Sequence, residues 1–470
     1  TVVKPQIDPI VIDSSLQSTF AANILAMPFS EIEPVFVEAD SDYRLIEFAD
    51  GVELYYAPNP LNDLFSFSVS VNVGTEENEK LNLAASLMEV AGTETLSNEE
   101  LQKEWYRMGT GFNFGAGENS SGFSLTGLDE QFENSVAMMM ELIENPVVDD
   151  QTLDDLKGIM LKSRQDRKSS PPAIAQALYM YNRYGDESPM LEALTSAEIQ
   201  ATTVEELASL PASLLEYKQT LAYTGSMPIE DVVAALRREY VLEGDLKETP
   251  AYRFRTAREF TTNEVYVVDQ KSAQAQVRIE FPENEYDRSK STMASIYNSY
   301  FGSGMSSVVF QELREARALA YSAGASYSQG RRSNAENLML GVIGTQTDKT
   351  VDALNAFIDL IDNMPESEQS YDEAVNSLVN RYRTSKLSFR EVIGAVRGWE
   401  LLELEGDPRR QTYAELQAAE FSDLLEFQRT NVKDRAKLIS IVGDLSIIDV
   451  EELAQFGTVK QIQVDDLFVD

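Results

Sequence analysis

The chain has 470 residues, 43% of them hydrophobic, with 39 basic against 78 acidic side chains and a net charge of −39. It contains no histidine and no cysteine, which excludes a His-held zinc, a Ser-His-Asp triad, a thiol nucleophile, a disulfide and a Cys-ligated cluster. Its length suits two to four domains at roughly 100–200 residues each, and a surface this negative repels nucleic-acid phosphate. The acids are scattered (Glu31 and Glu33, Glu76 to Glu79, Glu366 and Glu368), which reads as a solvated coat that keeps the protein soluble. No window is apolar enough for a membrane span. The start, Thr1-Val2-Val3-Lys4-Pro5, lacks the apolar stretch of a secretory signal and an initiator Met. The expectation is a mature product or a fragment of something longer, exported by a bacterium to the periplasm or cell surface.

Residues 1–42 carry Pro5, Pro9, Pro28 and Pro34 without sustained periodicity and read as an extended linker or arm. Tyr43–Phe48 and Val52–Ala57 read as strands joined by an Asp50-Gly51 turn. In the next strand Phe65, Phe67, Val69, Val71 and Val73 alternate with polar residues, the period of a half-buried strand. Leu81–Ala91 reads as a buried helix. Ser97–Met108 reads as another, capped by Ser97 with Glu100 closing a capping box. Phe112–Phe114 and Gly122–Leu128 read as strands. Phe132–Glu144 is an amphipathic helix with Val136, Met139, Met140 and Ile143 on its core face, stopped by Asn145-Pro146.

The chain then repeats itself. Ala197-Glu198-Ile199-Gln200-Ala201 is echoed by Ala414-Glu415-Leu416-Gln417-Ala418. Each is followed by a strand and turn, Leu221–Ser226 and Ile439–Asp444, and then by a helix expected near Ile229 and Ile447. The helix before Pro146 is matched by Val351–Asn363 before Pro365. The offset stays near 218 residues, which predicts two copies of one α+β unit, residues 43–246 and 263–470, with 247–262 as the join.

The most specific stretch runs from Gly302-Ser303-Gly304 through Phe310-Gln311-Glu312-Leu313-Arg314-Glu315 to Leu319-Ala320-Tyr321-Ser322. It reads as a glycine turn, a helix and a strand starting at Tyr321. Arg314 and Tyr321 are seven residues apart and share one side if the helix continues. A guanidinium and a phenol aimed at one point are a donor pair for a developing oxyanion. Gly302–Gly304 lacks the third Gly or the Lys-Ser/Thr of a phosphate loop. Arg331-Arg332 reads as a solvated turn.

This stretch resembles the C-terminal region of the insulinase/pitrilysin-type zinc peptidases, the inverted zincins. There a glycine turn leads to S-x-L-F-x-x-L-R-E and L-A-Y-S, matched here by Ser307–Glu315 and Leu319–Ser322. The resemblance implies two homologous subdomains of the LuxS/mitochondrial-processing-peptidase-like metallohydrolase fold, each an antiparallel sheet packed with helices. Family enzymes hold zinc through H-x-x-E-H, running on as M-x-x-x-G-T. Met88-Glu89-Val90-Ala91-Gly92-Thr93 looks like that continuation, which sets Leu83 at the first His, Ser86 at the Glu and Leu87 at the second His. None of the three can hold zinc or activate water. On the helix expected to bring the third ligand, Asp166 is the only acid in the second half.

The resemblance therefore implies the second, zinc-free half of a two-half peptidase. Its partner would be a zinc-bearing H-x-x-E-H half or subunit, and its substrates peptides; no cofactor is expected in this chain. Arg314 and Tyr321 would bind substrate and the oxyanion. The competing reading is a non-catalytic scaffold or assembly protein of the same fold.

Overall fold

The structure, a computed structural model, describes residues 18–28, 30–242 and 244–470. Most of the arm's first half lies outside the described residues. What is described of the arm is not wholly extended: Thr19–Leu25 is a short helix capped by Ser18. Further on, Val37 is buried and its N–H donates to Asp407 at 2.8 Å.

Among the described residues, twelve strands form two sheets. In the first half these are β1 (Arg44–Ala49), β2 (Val52–Pro58), β3 (Leu64–Val71), β4 (Gly111–Ala116), β5 (Ser121–Leu128) and β6 (Gln219–Gly225). In the second they are β7 (Glu264–Asp269), β8 (Gln274–Glu285), β9 (Ser322–Ser328), β10 (Glu336–Gln346), β11 (Leu438–Gly443) and β12 (Thr458–Gln461). The sheet orders are β1-β2-β6-β3-β5-β4 and β12-β7-β11-β8-β10-β9. The expected two-unit α+β architecture is present, and the second unit repeats β2 to β6 strand for strand. Each sheet is mixed, because β2–β6 and β7–β11 pair in parallel. The units differ at one edge: β1 is antiparallel to β2, whereas β12 is parallel to β7.

Local signals explain the elements. The alternating strand is β3, with Phe65, Phe67, Val69 and Val71 all buried on the helix side. Asp50-Gly51 links β1 to β2 in a two-residue turn, with Ala49 facing Val52. The Ser97–Glu100 capping box opens the helix Asn98–Met108, and Phe132–Glu144 and Thr350–Asp362 are both helical. The helix expected near Ile447 begins only at Val450, because the Asp449 carboxylate accepts from the N–H groups of Glu451 and Glu452 and sets the start there.

β2, β6, β7 and β11 read as near-continuous apolar runs because both sheet faces are covered. Val52, Leu54, Leu221 and Tyr223 face the first core, and Val265, Val267, Ile439 and Ile441 the second. The opposite faces are covered reciprocally. The first half's helix Pro171–Tyr184 packs Ile174, Ala177 and Leu178 on Tyr266, Val268 and Val442 of the second sheet. The second half's helix Phe389–Leu401 packs Val392, Ile393 and Val396 on Tyr55 and Ala57 of the first. The two helices start 389 − 171 = 218 residues apart, so they are the same element of the repeat, exchanged between units.

Asn182 pins this exchange. It is fully buried, and its amide donates to Ile439 O at 3.1 Å and Ser440 Oγ at 3.0 Å. Arg258 in the join donates to its side chain at 3.0 Å and its carbonyl at 2.7 Å. Asn182→Ala takes a donor from Ile439 O and Ser440 Oγ and one acceptor from Arg258, which keeps Glu264 and the residue-182 carbonyl, and is expected to destabilise the chain by ~1–3 kcal/mol, read as a lower urea midpoint with unchanged m.

Candidate functional site

The glycine turn, Arg314 and Tyr321 sit on the open side of β9, the edge strand of the second sheet. The segment Phe310–Ala316 is wound as a π-helix, a rare form common at functional sites. Leu313 anchors it in the core. The chain then turns back through Ala318, at φ +50°, and Leu319 N–H donates to Leu313 O at 2.9 Å. The helix therefore does not continue toward Tyr321, contrary to the spacing argument. The reversal itself brings the pair together: the Arg314 guanidinium lies 5.9 Å from the centre of the Tyr321 ring and 4.9 Å from that of Phe310. Tyr321 N–H donates to Gly344 O at 2.8 Å, fixing its backbone at the head of β9, while its side chain is 74% exposed. Apart from Glu315, 3.6 Å from Arg314 Nε, no carboxylate pairs with this guanidinium among the described residues. The arrangement presents a cation and a phenol to solvent at the head of β9, whose outer edge further along is taken by Asn298, bonded to Tyr327 N–H at 2.7 Å and to Tyr327 O at 2.9 Å.

Gly302 makes the turn possible. A Cβ there would lie 1.9 Å from the carbonyl oxygen of Ala325 in β9, backbone against backbone. Gly302→Ala must push the turn off the strand, with an expected loss of ~3 kcal/mol. Gly304 differs: a Cβ there meets open space, but at φ +93°, so Gly304→Ala should cost only ~1 kcal/mol. Thermal melts of the two variants check the order.

The positions aligned with a metal motif lie on the helix Leu81–Val90. Leu83 and Leu87 are buried in the first core, and the Ser86 hydroxyl donates to Asn82 O at 3.2 Å. The facing helix, Asp150–Arg167, presents Met160, Ser163 and Arg164 to the same cleft, and Asp166 does not line it. These residues do not fit a zinc ion: two alkyl chains, a hydroxyl and a thioether offer no donor set for it. Among the described residues, no group of three or more carboxylates is placed to hold a metal.

Residues 218–378 match the model of the peptidase M16 inactive domain. That span starts at β6, takes in β7 to β10, and includes Arg314 and Tyr321. An uncharacterized zinc protease of Streptomyces coelicolor is 23% identical over 348 residues, covering 70% of this chain and 73% of that protein. The chain thus resembles the M16 peptidases, and the match to their inactive domain lies in residues 218–378. Its fold agrees. The peptidase M16 inactive domain of Pseudomonas fluorescens superposes with a TM-score of 0.69 at 15% identity, over 85% of this chain and 97% of that one. The ferredoxin protease FusC, solved with Arabidopsis ferredoxin, gives 0.67 at 13% identity, over 89% of this chain but only 48% of that one. At these identities the structures share the fold. Among the described residues no helix is long and apolar enough to cross a membrane.

Two features of the chain escaped the reading of its sequence. Arg253 and Arg255, in the join, reach across to the first half and pair with Glu76 and Glu192. The alternating Tyr252-Arg253-Phe254-Arg255 pattern was the available signal, since it puts both arginines on one side of an extended segment. Arg332, expected in a solvated turn, lies with its guanidinium 3.9 Å from the centre of the Tyr252 ring.

Proposed function

We propose that this chain is the zinc-free half of an M16 peptidase, which closes on a zinc-bearing H-x-x-E-H half and lends it Arg314 and Tyr321. One contrast carries the reading. The positions of the metal motif are filled by buried leucines, while an exposed Arg–Tyr pair is held by a π-helix and a backbone hydrogen bond at the head of an edge strand.

The zinc of the partner half would supply the activated water. This chain's residues would do the rest. An extended peptide adds to the free edge of a sheet, aligning its carbonyls. The Tyr321 hydroxyl donates a hydrogen bond to the scissile carbonyl oxygen and strengthens it as negative charge develops there. Arg314 steadies that charge and orients the substrate backbone. Closure of the two halves excludes water, which raises the value of both donors.

The test is reconstitution. The purified chain should carry no stoichiometric zinc and cleave no unfolded peptide. Adding the co-purifying polypeptide that contains H-x-x-E-H should give peptidase activity. Hydrolysis by the isolated chain, with one zinc per molecule by elemental analysis, overturns the proposal.

A further inference from the structure

The cleft beside Leu83 and Ser86 has a volume of ≈ 760 Å³. Its floor is apolar, with Leu83, Met160 and Leu194, and its walls are charged. The arginines divide into two kinds. Arg253 and Arg255 are neutralised by Glu76 and Glu192. Arg164 and Arg167, one helical turn apart on Asp150–Arg167, have no carboxylate within ion-pair distance among the described residues. Arg164 Nη1 makes one long hydrogen bond, 3.4 Å, to the main-chain oxygen of Asp470. Burial, and then its neighbour Arg167, hold the Arg164 guanidinium below its ordinary pKa, and the pull of the Asp470 carboxylate only partly offsets them.

This is unusual in its setting. The chain carries twice as many acids as bases, yet Lys157, Lys162, Arg164, Arg167 and Lys168 crowd one helix with a single acid, Asp166, among the last seven residues. Lys157 and Lys168 pair with Asp154 and Asp465, which leaves Arg164 and Arg167 as an under-compensated basic pair over an apolar floor, complementary to an anion with an apolar neighbour. The adjoining surface already holds a segment of that kind. Asp465 lies 3.1 Å from Lys168 Nζ, Asp470 Oδ1 accepts from Ser196 N at 3.2 Å, and Leu467 and Phe468 between them are buried against the helix Pro171–Tyr184.

We propose that the cleft at the lost metal motif is a binding site for an extended peptide with an acidic residue beside an apolar one. The carboxylate lies between Arg164 and Arg167, and the apolar side chain lies on Leu83 and Met160. Glu79, Glu89 and Glu118 on the other walls repel a uniformly acidic peptide, so one acid at the arginine end is preferred to several. The site needs no partner half, so its fate is separate from that of the proposed peptidase role.

The isolated full chain is titrated against a fluorescein-labelled peptide, Ser-Gly-Asp-Leu-Val-Ser-Gly, with Asn and Lys versions at the Asp position, by anisotropy at low and high salt. The Asp peptide should bind roughly tenfold more tightly than the Asn peptide, the Lys peptide more weakly still, and high salt should narrow the difference. Arg164→Gln with Arg167→Gln should remove the preference while the melting temperature stays that of the parent; both side chains leave the core intact. Ser86→Trp, which fills the cleft, should abolish binding of all three. Equal binding of the Asp and Asn peptides, an undiminished preference in the double variant, or no binding at about 1 mM peptide overturns the proposal.

Discussion

In the reconstituted peptidase, Tyr321→Phe lowers kcat for peptide hydrolysis by roughly 10²–10³, the usual effect of deleting one oxyanion donor, with little change in KM. Among the described residues the phenol hydroxyl has no hydrogen-bond partner, and the side chain is 74% exposed, so its loss should leave the melting temperature where it was. Arg314→Ala should lower kcat as strongly and also raise KM, because the guanidinium orients the substrate backbone as well as facing the charge. Arg314→Lys should recover only part of the rate: an ammonium keeps the charge but loses the planar fork. Its contact with the Tyr321 ring, worth ~0.5–1 kcal/mol at an exposed site, is too weak to account for such losses through stability. The two residues would serve one oxyanion, so the double variant should be little worse than the worse single one. Rates within a factor of about two of the parent in all variants would favour the scaffold reading.

The sequence carried the units and their signals, because those depend on local chemistry. Alternation in β3, the Ser97–Glu100 box and the apolar face of Phe132–Glu144 are each decided by residues within a turn or two. The repeat was legible for the same reason, since each copy writes its own local pattern. The reciprocal helix exchange was not. Ile174, Ala177 and Leu178 mark an apolar face on Pro171–Tyr184, but a face does not say which sheet it covers. The parallel edge strand β12 gives no sign of its direction in four residues, Thr458–Gln461.

At the candidate site, the residue types were legible and the geometry was not. The spacing of Arg314 and Tyr321 would set them on one side only if the helix continued to a strand that starts at Tyr321. They meet because the helix widens into a π-form and the chain reverses at Ala318, a non-glycine residue at positive φ that no propensity scale favours. The joining segment hid a further feature: Arg253 and Arg255 pair with acids far from them in sequence, Glu76 and Glu192. The motif positions Leu83 and Leu87 were the easiest to place, since leucine on a buried helix face has one physical use.

Glu280→Gln is expected to make the chain more stable at alkaline pH and to leave it unchanged near pH 5. Glu280 lies in the middle of β8, on the face covered by the exchanged helix Pro171–Tyr184, and its side chain is 1% exposed. Arg183 from that helix comes only to 3.8 Å, too long for a hydrogen bond, and is shared with Glu336 at 3.6 Å. Arg278, two residues away on the same face, is turned toward Gln176 and the Tyr179 ring. Burial therefore outweighs the pull of these cations and pushes the Glu280 carboxyl up to about 8. The folded pKa exceeds the unfolded one, so the folded chain holds this proton more tightly. That stability is complete below about pH 4.5 and is lost as pH rises through about 8. Glutamine imitates the protonated form at every pH. The stability difference between variant and parent should thus be near zero at pH 5 and grow to ~3–5 kcal/mol by pH 9, at ~1.4 kcal/mol per pKa unit. Comparing the two chains cancels the opposite trend of paired carboxylates such as Glu264 and Glu415, whose pKa values are lowered. The effect falls on the contact that fixes one sheet against the other, so alkaline loosening should show first as faster amide exchange in Pro171–Tyr184 and β8, before either core opens. A difference curve that is flat with pH would mean that Glu280 is ionised at neutrality and firmly paired with Arg183, and the exchanged helix would then be held by a buried ion pair instead of packing on a neutral carboxyl.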